Sequence, residues 1–113
     1  MASGNAPVQK MTEAQVEERL ESLNDWSFVG ESIQRTYQFA TFVTAMKFVD
    51  SIAVAAEAAQ HHPDILIRHS KVTLTLMTHD AGGITSKDFD LATKADEIAA
   101  RVAKRAVTNT AKT

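Results

Sequence analysis

The stretch that decides the fold is EAAQHHPDILIRHSKVTLTLMTH, which spans residues 57–79. It begins in an apolar helical pattern, and Pro63 disfavours helical geometry at the residue before it, so the helix is predicted to end near His61. Two strands are predicted next, at 65–68 and 72–78. Apolar residues alternate with polar ones along the second strand, which is typical of a half-buried strand. A helix followed directly by a pair of strands therefore forms the centre of the predicted fold.

Further helices and strands are predicted on both sides of this stretch. Apolar periodicity, capping patterns and glycine-containing turns set their limits. They are a helix at 13–23, strands at 26–29 and 33–39, a helix at 42–60 and a final helix at 86–104. The chain is therefore predicted to be an α+β protein of order α-β-β-α-β-β-α, with three helices packed on one face of a four-stranded antiparallel sheet. Residues 52–56 are apolar nearly all round their helix, which predicts deep burial or contact with a partner chain.

Length and composition limit the class of protein. The 113 residues fit a single domain, predicted at 12–105, with flexible tails at 1–11 and 106–113. The absence of cysteine excludes disulfides, thiolate catalysis and cysteine-based zinc sites. The net charge of −2 offers no basic excess for nucleic acid or an anionic membrane. The longest apolar run, residues 52–56, is far too short to span a bilayer, and we expect a cytoplasmic protein.

Candidate functional residues cluster around the four histidines, which all lie between positions 61 and 79. Histidine titrates near neutrality, so such a cluster can donate and accept protons at working pH. His61 and His62 are predicted at the C-terminal end of the second helix, whose macrodipole favours an imidazolium there. If the last strand packs beside that helix, His79 shares one cleft with them, whereas His69 is expected at the surface.

Three interpretations of this cluster remain open on residue types alone. The first is acid–base catalysis on a small molecule, with Glu57, one helical turn before His61, orienting or charge-stabilising that ring. The second is a metal site of two or three histidines and Glu57, although the sequence lacks the His-x-x-x-His spacing that places two rings on one helical face. The third is structural, with the histidines bonding backbone groups at the helix end.

Asp88 has two candidate roles at the start of the final helix. Thr85 and Asp88 have the spacing of a capping box, in which the later side chain accepts a hydrogen bond from the backbone N–H of the earlier residue. Capping is the favoured interpretation. A role in the site is the alternative, because this helix begins soon after His79.

These residues resemble the pterin-4a-carbinolamine dehydratase family. The similarity covers about residues 12–103 and includes the family's signature at residues 57–64. The matching stretches are EAAQHHPD (57–64), KVTLTLMTHDAGGIT (71–85), Asp88, Leu91-Ala92, Trp26, RTYQF (35–39) and residues 42–48.

The resemblance implies both a fold and a reaction. Members of the family have three helices and a four-stranded antiparallel sheet and form dimers or tetramers. They dehydrate 4a-hydroxytetrahydropterins, the carbinolamines left when aromatic amino acid hydroxylases use tetrahydrobiopterin, to quinonoid dihydropterins. The resemblance therefore implies a reduced pterin as substrate, a hydroxylase as pathway partner, and neither a metal nor an organic cofactor.

The resemblance also implies that the family's histidines correspond to His61, His62 and His79. Because the departing hydroxyl needs a proton and a ring nitrogen must lose one, our hypothesis is that His61 and His79 form the acid–base pair and that His62 positions the pterin by a hydrogen bond. All three would then be catalytic. The residues implied to bind or orient the substrate are Glu57, Pro63, Asp64, Thr78 and Asp88.

Two positions depart from the family pattern, and some relatives have another function. His69 stands where an aromatic residue, most often tyrosine, is usual, and Met77 stands where a small polar residue is frequent.

Some relatives are binding proteins that serve as a transcription-factor dimerisation partner or an assembly factor. A non-catalytic scaffold is therefore the alternative function, although pure scaffolding needs no proton donors.

Overall fold

A computed structural model describes the backbone of residues 9–112 and the side chains of residues 9–103. Its elements follow the predicted order, and the α+β fold is confirmed. The helices are α1 (Glu13–Leu20), α2 (Phe42–Ala59) and α3 (Ser86–Lys112), with a short 3-10 helix at His79–Ala81, and the strands are β1 (Ser27–Val29), β2 (Ser32–Gln38), β3 (Asp64–Arg68) and β4 (Lys71–Leu76). The predicted tail residues 1–8 and 113 lie outside the described residues.

The four strands form one antiparallel sheet in the order β1-β2-β4-β3. Alternation along β2 and β4 gives the sheet one apolar face, on which Ile33 lies opposite Leu76 and Tyr37 lies opposite Val72. These four side chains are at most 3% exposed. The helices cover this face and leave the other face, rich in threonine and glutamine, uncovered.

Helices α2 and α3 pack on each other and on the sheet. Phe48 and Ile52 of α2 and Phe89 and Ala95 of α3 are all fully or almost fully buried in the same core. Because the two helices share this core, the C-terminal end of α2 lies beside the first turn of α3. No helix among residues 9–112 is long and apolar enough to cross a membrane.

Two predicted helix limits are wrong. Helix α1 ends at Leu20 rather than near residue 23, because Leu23 and Trp26 close tight turns by donating to the carbonyls of Leu20 and Leu23. Helix α3 continues to Lys112 rather than ending near residue 104, so residues 106–112, predicted as a flexible tail, have helical backbone. No glycine or proline stops α3, and alanine, lysine and arginine favour the helix.

Candidate active site

Helix α2 ends in a way that turns the chain towards α3. Gln60 adopts a left-handed conformation, with φ 52° and ψ 42°. The N–H groups of Gln60 and His61 donate to the carbonyls of Glu57 and Ala56, each at 3.1 Å, which is the bonding pattern of a Schellman motif. His61 and His62 therefore lie outside the helix, and helical spacing no longer dictates which residues they meet.

His61 is buried against the first turn of α3. Its Nε2 atom lies 2.5 Å from Oδ1 of Asp88. His61 is 9% exposed and Asp88 is fully buried. A buried histidine and carboxylate at this distance form a strong hydrogen bond, since the low local dielectric strengthens their attraction.

Asp88 joins three parts of the chain. Its Oδ2 atom accepts from the backbone N–H of Thr85 at 2.9 Å, which is the predicted cap of α3, and from the hydroxyl of Thr78 at 2.9 Å. The Thr78 hydroxyl also lies 2.7 Å from that of Thr85, and Thr85 must donate there because the Thr78 proton is already given to Asp88. Asp88 therefore caps α3 and contacts His61 at the same time.

This network determines which atom of His61 can exchange protons. An ionised Asp88 only accepts, so Nε2 of His61 must be the donor. The second ring nitrogen, Nδ1, is then left to accept or donate a proton elsewhere. Such a pairing fixes both the orientation and the tautomer of the imidazole.

Glu57 pairs with a different histidine from the one predicted. Its Oε1 atom lies 3.0 Å from Nε2 of His62, and both side chains are largely exposed. The expected contact with His61 is wrong, because α2 ends at Gln60 and the spacing rule for helical neighbours applies only within a helix. An exposed pair of this kind contributes little to stability.

His79 lies on an exposed loop that is connected to the buried network. It begins the 3-10 helix His79–Ala81, so β4 is shorter than predicted and ends at Leu76. The loop is closed by a β-bridge between Thr78 and Gly83. Among the described side chains the His79 ring has no hydrogen bond, but its neighbour Thr78 is linked through Asp88 to His61.

The structure gives the remaining predicted residues more peripheral places. Pro63 is half-buried, and Asp64 is exposed at the start of β3, opposite Thr75. Neither residue forms a hydrogen bond to a histidine within residues 9–103.

A hollow of about 480 Å³ adjoins His61 between α2 and α3. His61 lines it, but neither His62 nor His79 does. The expectation that all three rings line one cleft is therefore not met by this hollow. The other lining residues are Ala55, Ala58, Ala59, Lys87, Asp90, Leu91 and Lys94.

The sequence of the chain matches one family over most of its length. The sequence model described as "Pterin 4 alpha carbinolamine dehydratase" matches residues 9–98. The chain belongs to this family. Membership of the pterin-4-alpha-carbinolamine dehydratase family places the protein among the hydro-lyases.

Individual relatives support the same family. A protein of Roseiflexus sp. (strain RS-1), assigned by its name to the pterin-4-alpha-carbinolamine dehydratases, is 55% identical over 89 residues, which is 79% of this chain and 96% of that protein. A protein of Chloroflexus aurantiacus (strain J-10-fl) with the same name is 51% identical over 89 residues, again 79% of this chain and 96% of that protein.

Solved structures have the same fold. The crystal structure of a transcriptional coactivator/pterin dehydratase from Brucella melitensis is 35% identical, with a TM-score of 0.78, and the match covers 80% of this chain and 99% of that one. A pterin dehydratase-like protein identified as a RuBisCO assembly factor in the alpha-carboxysome is 22% identical, with a TM-score of 0.58 over 66% of this chain and 89% of that one, and supports the fold alone.

Sequence reasoning missed part of the candidate site. The hydroxyl contact between Thr78 and Thr85 was not predicted, although alternation along β4 could have indicated that Thr78 faces inwards with Leu76 and Leu74. No group of three or more histidine, aspartate or glutamate side chains among the described residues is arranged to hold a metal ion.

Proposed function

We propose that this protein dehydrates 4a-hydroxytetrahydropterins, among them the pterin-4a-carbinolamine of tetrahydrobiopterin recycling, to quinonoid dihydropterin and water. The observation that carries the proposal is the buried contact between His61 and Asp88, in a chain of the pterin-4-alpha-carbinolamine dehydratase family. The reaction needs proton transfer near neutral pH and no electron transfer. Oriented histidines supply that chemistry without a metal or organic cofactor.

The reaction removes a hydroxyl from C4a and a proton from a ring nitrogen. His61 takes the nitrogen proton at Nδ1, and the imidazolium that results is stabilised by Asp88 through Nε2. His79 gives a proton to the departing hydroxyl, which leaves as water, and its exposure lets it recover a proton from solvent. The C4a–nitrogen double bond of the product forms as the C4a–oxygen bond breaks, so atoms and charge balance.

The other histidine and the nearby side chains position the substrate. His62 contacts the pterin by a hydrogen bond, and Glu57 orients its ring through the 3.0 Å contact. Asp88 and Thr78 act on His61 rather than on the pterin. Pro63 and Asp64 shape the approach to the site at the start of β3.

The decisive experiment follows the loss of 4a-hydroxytetrahydropterin, generated in situ, by stopped-flow absorbance. His61→Ala and His79→Ala are each expected to lower turnover by roughly 10²–10⁴-fold, because each removes a proton-transfer group. His69→Ala is the matched control and should leave turnover unchanged. His69 lies in the turn before β4, whose six residues separate it by roughly 20 Å from the end that leads to His79. Normal turnover in both test variants would sink the proposal.

We also place the enzyme in the cytoplasm as a homodimer or homotetramer, with a reduced pterin as its partner and an aromatic amino acid hydroxylase as its pathway neighbour. Self-association is supported by exposed apolar side chains on two elements. They are Phe42, Val43 and Val54 on α2, and Ile65 and Leu66 on β3. The net charge of −2 argues against direct binding to nucleic acid. Sedimentation velocity tests the oligomer, and a purely monomeric protein at micromolar concentration would contradict it.

A non-catalytic scaffold on the same fold is the second candidate function. It is favoured by the same exposed apolar residues of α2 and by the coactivator half of the Brucella protein's description. The stopped-flow experiment separates the two, since a scaffold would bind or ignore the pterin without accelerating its dehydration.

A further inference from the structure

The base of the His79 loop is held on its inner side by α3. Thr78 N–H donates to the Gly83 carbonyl at 2.9 Å, and Gly83 N–H donates back at 3.3 Å. The hydroxyl of Thr78 is tied to the buried carboxylate of Asp88. These contacts join the two ends of the loop and hold one of them against the first turn of α3.

The outer side of the same loop is held by the residues that precede α1. Met11 N–H donates to the carbonyl of Ile84 at 2.8 Å, directly after the bridge. The aliphatic stem of Lys10 lies across Gly83, where a Cβ atom would meet Cε of Lys10 at 2.7 Å. The close approach therefore uses the space that a glycine leaves. We call Lys10–Met11 the N-terminal strap.

The strap is itself fixed to the body of the protein. The half-buried side chain of Met11 packs on the core. The next residue, Thr12, caps α1, and its backbone N–H and hydroxyl both bond to Gln15. The strap therefore has a fixed position relative to the sheet and can restrain the loop that it contacts.

A hollow beside the strap provides space into which the end of the His79 loop can shift. Its volume is about 300 Å³, and it lies between the strap, the turn at Gly30 and the end of the His79 loop. If the bond from Met11 to Ile84 is lost, the segment Gly83–Ile84 can shift towards this space. The amide of His61 donates to the carbonyl of Ala56 at the end of α2 and has no hydrogen bond to the strap.

We propose that the N-terminal strap is a positioning element for His79. Lys10 and Met11 touch no reacting atom and act through Gly83 and Ile84 on the loop that carries the proposed proton donor, His79. The kinetic consequence rests on the proposed dehydratase function, whereas the ordering of the loop can be measured without any reaction.

The kinetic test uses Met11→Pro in the full chain, which removes the backbone donor, with Met11→Leu as the matched control that keeps it. Met11→Pro is expected to lower kcat about tenfold with little change in KM, because a small displacement of a proton-transfer group slows chemistry more than binding. In a His79→Ala background the same substitution should cost nothing further. An equal loss in both backgrounds would show that the strap does not act through His79.

The structural test is amide hydrogen exchange at Gly83 and His61. Met11→Pro is expected to speed exchange at Gly83 about tenfold and leave His61 unchanged, because the Gly83 amide lies in the bridge next to Ile84, which Met11 holds, whereas the His61 amide bonds to Ala56 at the end of α2. Lys10→Ala removes the stem without touching the backbone and should act in the same direction with a smaller effect, even if Met11→Pro fails to fold. Unchanged Gly83 exchange in the folded variants would overturn the proposal, whether or not the protein proves to be a dehydratase.

Discussion

Helix α3 carries two aspartates that join it to the rest of the molecule, and they differ in their partners. Asp88, in its first turn, is fully buried and accepts from His61, Thr78 and the Thr85 backbone. Asp96, about two turns further on, accepts at a single oxygen atom from three side chains and is partly exposed. Its donors are Trp26 at 3.0 Å, Arg35 at 2.8 Å and Tyr37 at 2.5 Å.

The chemistry of the donors separates the two clusters. Trp26 and Arg35 keep their protons at any ordinary pH. Burial, with the hydrogen bond to Asp96 as the next cause, raises the pKa of Tyr37 far above its usual value. The Asp96 cluster therefore has a fixed set of protons and suits a structural role. An imidazole can both donate and accept a proton, whereas an indole and a guanidinium only donate, so the Asp88 cluster contains a group that can exchange protons and the Asp96 cluster does not.

The largest expected effect is that of Asp88→Asn on activity. The asparagine amide would donate to Nε2 of His61 and move the ring proton to Nδ1, so turnover should fall by roughly 10²–10⁴-fold. Stopped-flow dehydration measures it. Asp96→Asn removes the same charge from the same helix and should retain normal kcat in the folded protein. Equal losses of turnover in both variants would contradict a role in turnover that is specific to Asp88.

A smaller effect, on stability alone, is expected for Asp96→Ala. Three donors lose one acceptor, and Trp26 and Tyr37 are 3% exposed, so the free energy of unfolding should fall by about 2–3 kcal/mol. Urea unfolding measures it. Glu97→Ala, at an exposed position next to it, is the control and should change the free energy by less than about 0.5 kcal/mol. A loss no larger than that of the control would mean that the Asp96 cluster is not a structural link.

The Asp96 cluster should make the stability of the protein depend on pH through Tyr37. Because the pKa of Tyr37 is raised on folding, the folded state holds this proton more tightly than the unfolded state. Stability should therefore be unaffected below about pH 9 and should fall above about pH 10, with a slope approaching 1.4 kcal/mol per pH unit from this group. Urea unfolding between about pH 8 and pH 11 measures this loss of stability. The free energy of unfolding should fall with rising pH in the native protein and should fall less steeply in Tyr37→Phe. Identical slopes would remove Tyr37 as the cause.

The smallest expected effect lies outside both clusters, at His69. This residue has a φ of 53°, which lies in the left-handed region that is unfavourable for residues with a Cβ atom. His69→Gly should raise the free energy of unfolding by about 0.5 kcal/mol, the relief of strain exceeding the added freedom of the unfolded chain. His69→Ala keeps the strain and should give no gain, and thermal unfolding compares the two. A gain from alanine as large as that from glycine would assign the effect to another cause.

The predictions that depend on residues close together in the sequence were right. Thr12 and Gln15 have the three-residue spacing of a capping box, and both of its bonds are present, at 3.2 Å and 2.8 Å. The core face of β4 followed from alternation in the same way. Local rules worked because each depends on backbone geometry within one turn or one strand.

The error at Glu57 marks the limit of those rules. The spacing from Glu57 to His61 is that of helical neighbours, but the left-handed Gln60 ends the helix between them. Glu57 then meets His62, and His61 meets a residue 27 positions away. Pro63 indicated where the helix stops, but not the direction in which the following rings would turn.

Local patterns in the amino-acid sequence specify the order of helices and strands, the face of the sheet that is buried, and the residues from which a site could be formed. The partners of these residues depend on how the folded elements pack together. Asp88 meets His61, and Asp96 meets Trp26, which lies 70 positions away. The physical reason is that apolar periodicity specifies which side of an element is buried, whereas a hydrogen bond needs two atoms within about 3 Å. That precision is set by the packing of α2, α3 and the sheet around one shared core.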